Sequence, residues 1–308
     1  MQNPFDEILG APVAVTEDIL KEYERKGSFS ELAFNLYKEA GSVISVCACL
    51  HTGIDSEKPR FQRDQAICVG LLARITKFML AVIQLSAETN RGEIVMALER
   101  CIMESATNLR YLICKNSKKI YDEFVLSGLG PEREQYEIIN ENIKSRNGEV
   151  LPIEKRMLKS IEKLCKTSGV KIEQVPSRHR EWGDGMRDRV KAIGEAPVYY
   201  VSSQRFLSHA VHGTWVDILV HHVTEEWNSS NLVGFSPRLD FAPVDERSFG
   251  PNALYALKGA DAYLKTFFNE IPEVKLLIDR IAGLSQRISR VGQADELLLQ
   301  KQRALEPE

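Results

Sequence analysis

ALERCIMESATNLRYLI, residues 97–113, spaces its polar groups one way and its apolar groups another. Arg100, Glu104, Asn108 and Tyr111 follow i, i+4, i+8, i+11, which is a single stripe on a helix of about 3.6 residues per turn. Leu98, Ile102, Met103, Leu109 and Leu112 flank that stripe with apolar surface. A strand would alternate polar and apolar residues with period two, and this stretch does not. It reads as a helix packed in a core, with a polar stripe that must find partners: an unsatisfied buried polar group costs about 1–3 kcal/mol.

The same periodicity recurs along the chain. It predicts helices near 17–26, 30–51, 61–87, 92–116, 118–128, 131–146, 152–168, 185–194, 199–223, 251–269 and 272–298. Thr16 precedes an acidic turn, Ser28 leads SFSELAF, and Pro131 opens PEREQYEII where its missing N–H costs nothing. Gly128 and Gly130 separate two of the helices. GVKIEQV (169–175) is the one strand candidate. Residues 169–184 and 227–250 read as long irregular loops, and a loop as long as the second tends to be functional or to pack over something. The expected fold class is all-α, a helical bundle. Residues 1–58 form an N-terminal helical segment packed on the core. Residues 59–308 form the main helical domain, ending in a helix pair.

Composition narrows the function. With 308 residues, 44% hydrophobic and 27% charged, the chain has material for a substantial core and is neither disordered nor fibrous. A formal charge of −3 gives no global pull towards nucleic acid or an anionic membrane. Locally, residues 144–191 hold 13 Lys and Arg against 7 Asp and Glu, a net of +6, read first as a solvated face. Cys47, Cys49, Cys68, Cys101, Cys114 and Cys165 form no CxxC pair and read as small core residues of a reducing compartment. MQNPFDEILGAP lacks the basic and apolar regions of a secretory signal. AICVGLLARITKFMLAVIQLSA (66–87) approaches membrane length, but Arg74 and Lys77 interrupt its centre, so a buried helix is expected. The expected location is the cytoplasm, with no membrane partner.

A second stripe lies in RFLSHAVHGTW, residues 205–215. On an α-helix Arg205, Ser208, His209 and His212 fall within about a 100° arc. Val216 and Leu219 continue the arc, so the whole stripe is expected to face inward. If the two stripes meet, Glu104 can pair with Arg100 along its own helix and also accept from a histidine on the other.

These two stretches, ALERCIMESATNLRYL and YYVSSQRFLSHAVHGTW, resemble the bacterial domain-of-unknown-function family 5677 over about residues 60–223. The family's pattern places an R-x-x-x-E helix with a downstream Asn and Tyr before a later helix bearing Tyr, Ser and His-Gly. Arg100, Glu104, Asn108, Tyr111, Tyr200, Ser208, His212 and Gly213 stand at those positions. MRDRVKAIGEAPVYY resembles the family's lead-in to its histidine helix. No established reaction comes with this resemblance.

The chain is also similar, at Arg205 and His212, to the helical HEPN toxins and antiviral defence effectors, whose signature is Arg, four to six residues, then His. Six residues separate the pair here, and Phe206 stands where a polar residue commonly follows the arginine. The resemblance implies a metal-independent ribonuclease working where two protomers meet. On that reading Arg205, His212, Glu104 and Arg100 are the candidate catalytic residues, and Asn108, Tyr111, Ser208 and His209 bind substrate. RNA is the expected substrate, and a second copy or another protein the expected partner; no cofactor and no metal are assigned. The chemistry fits the residue types: a histidine moves a proton at the RNA 2′-hydroxyl or leaving oxygen, and an arginine holds the phosphate.

Three alternatives stand beside it. The polar groups can form a buried network that fixes helix register in a non-catalytic binding or scaffold protein. His209, His212 and Glu104 can be read as metal ligands, although the E-x-x-H pairs of di-iron bundles are absent. A small-molecule pocket between helices is the third. SRHREWGDGMRDR (177–189) reads as a solvated basic loop, or as a contact to a nucleic-acid backbone.

Overall fold

The computed structural model describes residues 5–50, 61–88, 91–177 and 181–304. After a short helix α1 (Asp6–Leu9), the chain forms α2 (Glu17–Lys26), α3 (Ser30–Cys49), α4 (Arg63–Glu88) and α5 (Gly92–Lys115). Then follow α6 (Lys118–Gly128), α7 (Gly130–Ser145), α8 (Pro152–Ser168), α9 (Met186–Ala192) and the single turn α10 (Pro197–Tyr200). Two further short helices, α11 (Ser208–His212) and α12 (Trp215–Asp217), precede a hairpin of β1 (Val223–Asn228) and β2 (Asn231–Pro237). The long helices α13 (Phe249–Phe267) and α14 (Pro272–Arg303) close the fold. It is the expected helical bundle, with one small two-stranded sheet.

The bundle is built around α5. On α4, Cys68, Leu72, Ile75, Met79 and Val82 recur every three or four residues and are all fully buried, so α4 packs between α3 and α5. By length and composition α4 could also cross a membrane. The opposite side of α5 meets α13, where Gly259 lets the two helices close together: a Cβ there would sit 3.3 Å from Leu109 Cδ2. Another close approach fixes the start of α5. Gly92 donates to the Ala242 carbonyl at 2.9 Å, and a Cβ at position 92 would fall 2.4 Å from the Pro243 carbonyl oxygen. A smaller cluster, Leu129, Ile139, Ile161, Cys165 and Val175, holds α7 and α8 together outside the main core.

One carboxylate ties the N-terminal helices to α14. Glu39 on α3 accepts from Arg280 Nε at 2.9 Å and from Arg287 Nη1 at 2.7 Å, and it also takes the Val13 backbone N–H at 3.0 Å. Burial pushes this carboxyl up, but the Arg287 hydrogen bond, the Val13 N–H and both guanidinium charges outweigh it and leave it below its ordinary value.

Three sequence expectations change. Residues 169–175 form no strand: Ile172–Gln174 is a turn of 3-10 helix. Residues 227–250 are not irregular throughout, since the hairpin occupies their first part, turning at Ser229 and Ser230 with Ser229 at φ 52°. Val, Thr and Trp in VTEEWN suit strands, and the turn formers masked that preference. The helix expected over 199–223 is broken into pieces. Wider, π-type turns cover Val201–Phe206 and Ile218–His222, and Gly213 adopts a left-handed φ of 55° between them.

Candidate functional site

The stripe on α5 is real, but its two halves serve different neighbours. Its first half meets α11. Arg100 Nη1 lies 2.7 Å from Glu104 Oε2 on the same helix, and Arg100 Nε donates to Ser208 Oγ at 3.3 Å. The helices of Glu104 and His212 therefore lie side by side, joined through Ser208.

The second half of the stripe turns to α9 and the loop before it. Asn108 Oδ1 accepts from Arg189 Nη1 at 2.9 Å. Tyr111 donates its hydroxyl to Asp184 Oδ2 at 2.7 Å and accepts the Asp184 backbone N–H at 3.2 Å. The loop can lie this close because residue 183 is glycine. Its φ is 55°, and a Cβ would come within 2.8 Å of Ile120 and 3.0 Å of the Tyr111 ring.

Arg189, at the end of the basic stretch expected to be solvated, is the buried centre of this arrangement. It lies 3.7 Å from the Trp182 ring centroid and donates to the Trp182 and Asp184 carbonyls, each at 2.6 Å. Its guanidinium sits below the ordinary arginine value because burial outweighs the negative groups around it. A Trp followed seven residues later by Arg was the available signal, but nothing in the spacing showed that the chain folds back on itself. Residues 178–180 of that basic stretch lie outside the described residues. A second missed network is Arg110 Nη1 to Glu195 Oε1 at 2.6 Å, with Lys258 reaching the same oxygen at 2.8 Å. It draws α5, the turn after α9 and α13 together.

The later segment departs most from the helical-wheel expectation. Ser202 Oγ donates to the Val198 carbonyl at 2.9 Å, and Ser203 and Ser208 bond back in the same way to Tyr199 and Gln204. Hydroxyls that take carbonyls from the helical ladder bend helices, and this one winds wider there. A wider turn rotates less per residue, so the predicted arc comes apart. Ser208 and His209 are half-buried, the latter with Nδ1 2.6 Å from Thr214 Oγ1. Arg205 and His212 are exposed rather than inward-facing. Neither has a hydrogen-bond or ion-pair partner among the described residues.

Other histidines have distinct neighbours. His222 Nε2 is 3.3 Å from Asp217 Oδ2. His221 Nδ1 is 3.9 Å from Glu93 Oε1, beyond hydrogen-bond reach. Buried His221 Nδ1, Glu93 Oε2 and both polar atoms of the Gln204 side chain have no partner among the described residues. No group of three or more His, Cys, Asp and Glu side chains placed to hold a metal occurs among the described residues.

No curated protein and no solved structure matches this chain. A family model described as a family of unknown function (DUF5677) matches residues 65–230, which is more than half of the sequence. That stretch runs from the start of α4 through α5 and the broken helix to the turn of the hairpin, and so contains all eight residues of the two stripes. The chain belongs to the family of unknown function DUF5677.

Proposed function

We propose that this protein is a helical effector that cleaves RNA, with Arg205 and His212 as its reacting pair, and that it serves bacterial defence or a toxin system in the cytoplasm. The observation that carries this reading is a contrast in exposure. Arg100, Glu104, Asn108, Tyr111, Ser208 and His209 are all occupied by protein partners, whereas Arg205 and His212 face solvent with none. A pair that must meet a phosphodiester has to be reachable.

In the proposed step His212 takes the proton of an RNA 2′-hydroxyl as that oxygen attacks the adjacent phosphorus. The bond from phosphorus to the 5′-oxygen breaks, and the leaving oxygen receives a proton, from the imidazolium or from water. The products are a 2′,3′-cyclic phosphate and a 5′-hydroxyl. Arg205 supports the added negative charge on the phosphoryl oxygens. Arg100, held by Glu104 and bonded to Ser208, positions the segment that carries the pair.

The test is cleavage of single-stranded RNA by the purified chain, with Arg205→Ala and His212→Ala compared at equal folded concentration. Loss of cleavage in both variants supports the reading; equal cleavage by all three chains, or none by the unaltered chain, overturns it.

A second reading, a non-catalytic binding or scaffold protein, is favoured by the completeness of the Asn108–Arg189–Trp182 and Tyr111–Asp184 contacts. These polar groups satisfy one another and fix the register of α5 against α9 without a substrate.

A further inference from the structure

Between Val198 and Phe241 the chain leaves a large apolar surface in water. Phe206, Trp215, Trp227, Phe235 and Phe241 are each about half exposed, and Val233 and Leu239 are 65% and 92% exposed. At about 200 Å² per aromatic side chain, the five rings alone expose roughly 500 Å². The valines and leucines of the same run raise the total, spread over the broken helix and both faces of the hairpin, to on the order of 1000 Å². A stable complex buries about 800 Å² per partner.

The two elements that carry it touch each other. The Trp215 ring stands edge-on to Phe235 at 5.6 Å, and Arg238 N donates to the His222 carbonyl at 2.9 Å, so the broken helix and the hairpin are joined. The hairpin, however, has little else to stabilise it. Its strands pair only with each other among the described residues, and nearly every residue in them is exposed. A lone two-stranded hairpin is marginal in water, and an open apolar edge is a template for another strand.

Charge selects the edge and the occupant. In an antiparallel two-fold pairing a strand meets its own copy. β1 would bring Glu225 and Glu226 against the same carboxylates, which is destabilising, while β2, NLVGFSP, has no charge to oppose. We propose that the free edge of β2 pairs antiparallel with β2 of a second copy of this chain. The result is a four-stranded sheet spanning two protomers, with the surrounding aromatic residues closing over the junction. A self-complementary edge of this kind fits a two-fold dimer.

The experiment is light-scattering mass measurement of the full chain at micromolar concentration, with Val233→Lys and Val233→Glu separately and mixed. Val233 is exposed, so neither change disturbs the monomer's core, and circular dichroism checks that the helices persist. The unaltered chain is expected at twice 34.8 kDa. Each single variant is expected at the monomer mass, and the mixture back at twice that mass as Lys meets Glu. An unaltered chain of 34.8 kDa, or single variants that keep the mass of the unaltered chain, overturns the proposal. A monomeric chain that co-floats with neutral lipid vesicles would also overturn it and assign the surface to a membrane.

Discussion

Arg100 Nε on α5 donates to Ser208 Oγ on α11 at 3.3 Å, and through this contact the two polar stripes meet. The same guanidinium holds Glu104 at 2.7 Å, so one side chain sets both the position of α11 and the orientation of the acid. Ser208 Oγ in turn donates to the Gln204 carbonyl, within the widened turn. The contact lies between the fixed core and the segment that bears Arg205 and His212.

Ser208→Ala should therefore cost about 0.5–1.5 kcal/mol, the net value of an ordinary hydrogen bond. Arg100→Ala should cost more, because it also strands Glu104. In a double-mutant cycle measured by urea unfolding, the two changes should couple by at least about 0.5 kcal/mol. Strict additivity would mean that the contact contributes nothing.

Arg189 is the more demanding position. Replacing it with Leu removes a buried cation and leaves the Trp182 and Asp184 carbonyls and Asn108 Oδ1 without their donor. A loss of about 3 kcal/mol or more is expected, since several buried acceptors go unpaired together. Arg189→Lys should recover only part of it, because an ammonium cannot reproduce the fork or the stacking on Trp182. Thermal unfolding of the two variants checks this; equal melting temperatures for Leu, Lys and the unaltered chain would contradict the account.

Two buried carboxylates should give stability opposite dependences on pH. Burial pushes Glu99 up to about 7 from its ordinary 4.5; hydrogen bonds from Ser248 and Asn252 oppose the rise, and Asp245 adds to it. The folded chain then binds this proton more tightly than the unfolded chain. Stability falls as pH rises from about 4.5 to 7, by roughly 3 kcal/mol. Glu39, held below its ordinary value by Arg287 and its other partners against burial, works in the other direction: its contribution is present above the ordinary value and is lost as pH falls through the lowered one. Glu99→Gln should flatten the fall in melting temperature between about pH 4.5 and 7 and leave the Glu39-dependent loss at lower pH unchanged. A Gln variant that still loses stability between about pH 5 and 7 as the unaltered chain does would rule out Glu99 as the cause.

The sequence made the long helices readable because each buries a stripe at helical spacing, as Cys68, Leu72, Ile75, Met79 and Val82 do on α4. The α5 stripe could be read for the same reason, down to the Arg100–Glu104 pair. Its partners were harder to see. Arg189 looks solvated in sequence because its acceptors are two backbone carbonyls and one side chain from far away, and carbonyls have no signature. The exposure of Arg205 and His212 was hidden by a different mechanism. Serine hydroxyls at 202, 203 and 208 compete for helix carbonyls, the winding widens, and a wheel drawn with a constant angle puts both residues on the wrong side. The hairpin was obscured by turn formers around VTEEWN and NLVGFSP, where β-branched and aromatic residues outweighed them.

The most direct measurement is a single-turnover rate for cleavage of a short RNA by His212→Ala, with a melting curve taken on the same sample. The account predicts a rate lowered by about 10²–10⁴-fold, the usual contribution of a general acid or base. It also predicts an unchanged melting temperature, because an exposed side chain without a partner contributes little to the fold. An unaltered rate, or a lowered rate that merely tracks a lowered melting temperature, would contradict it.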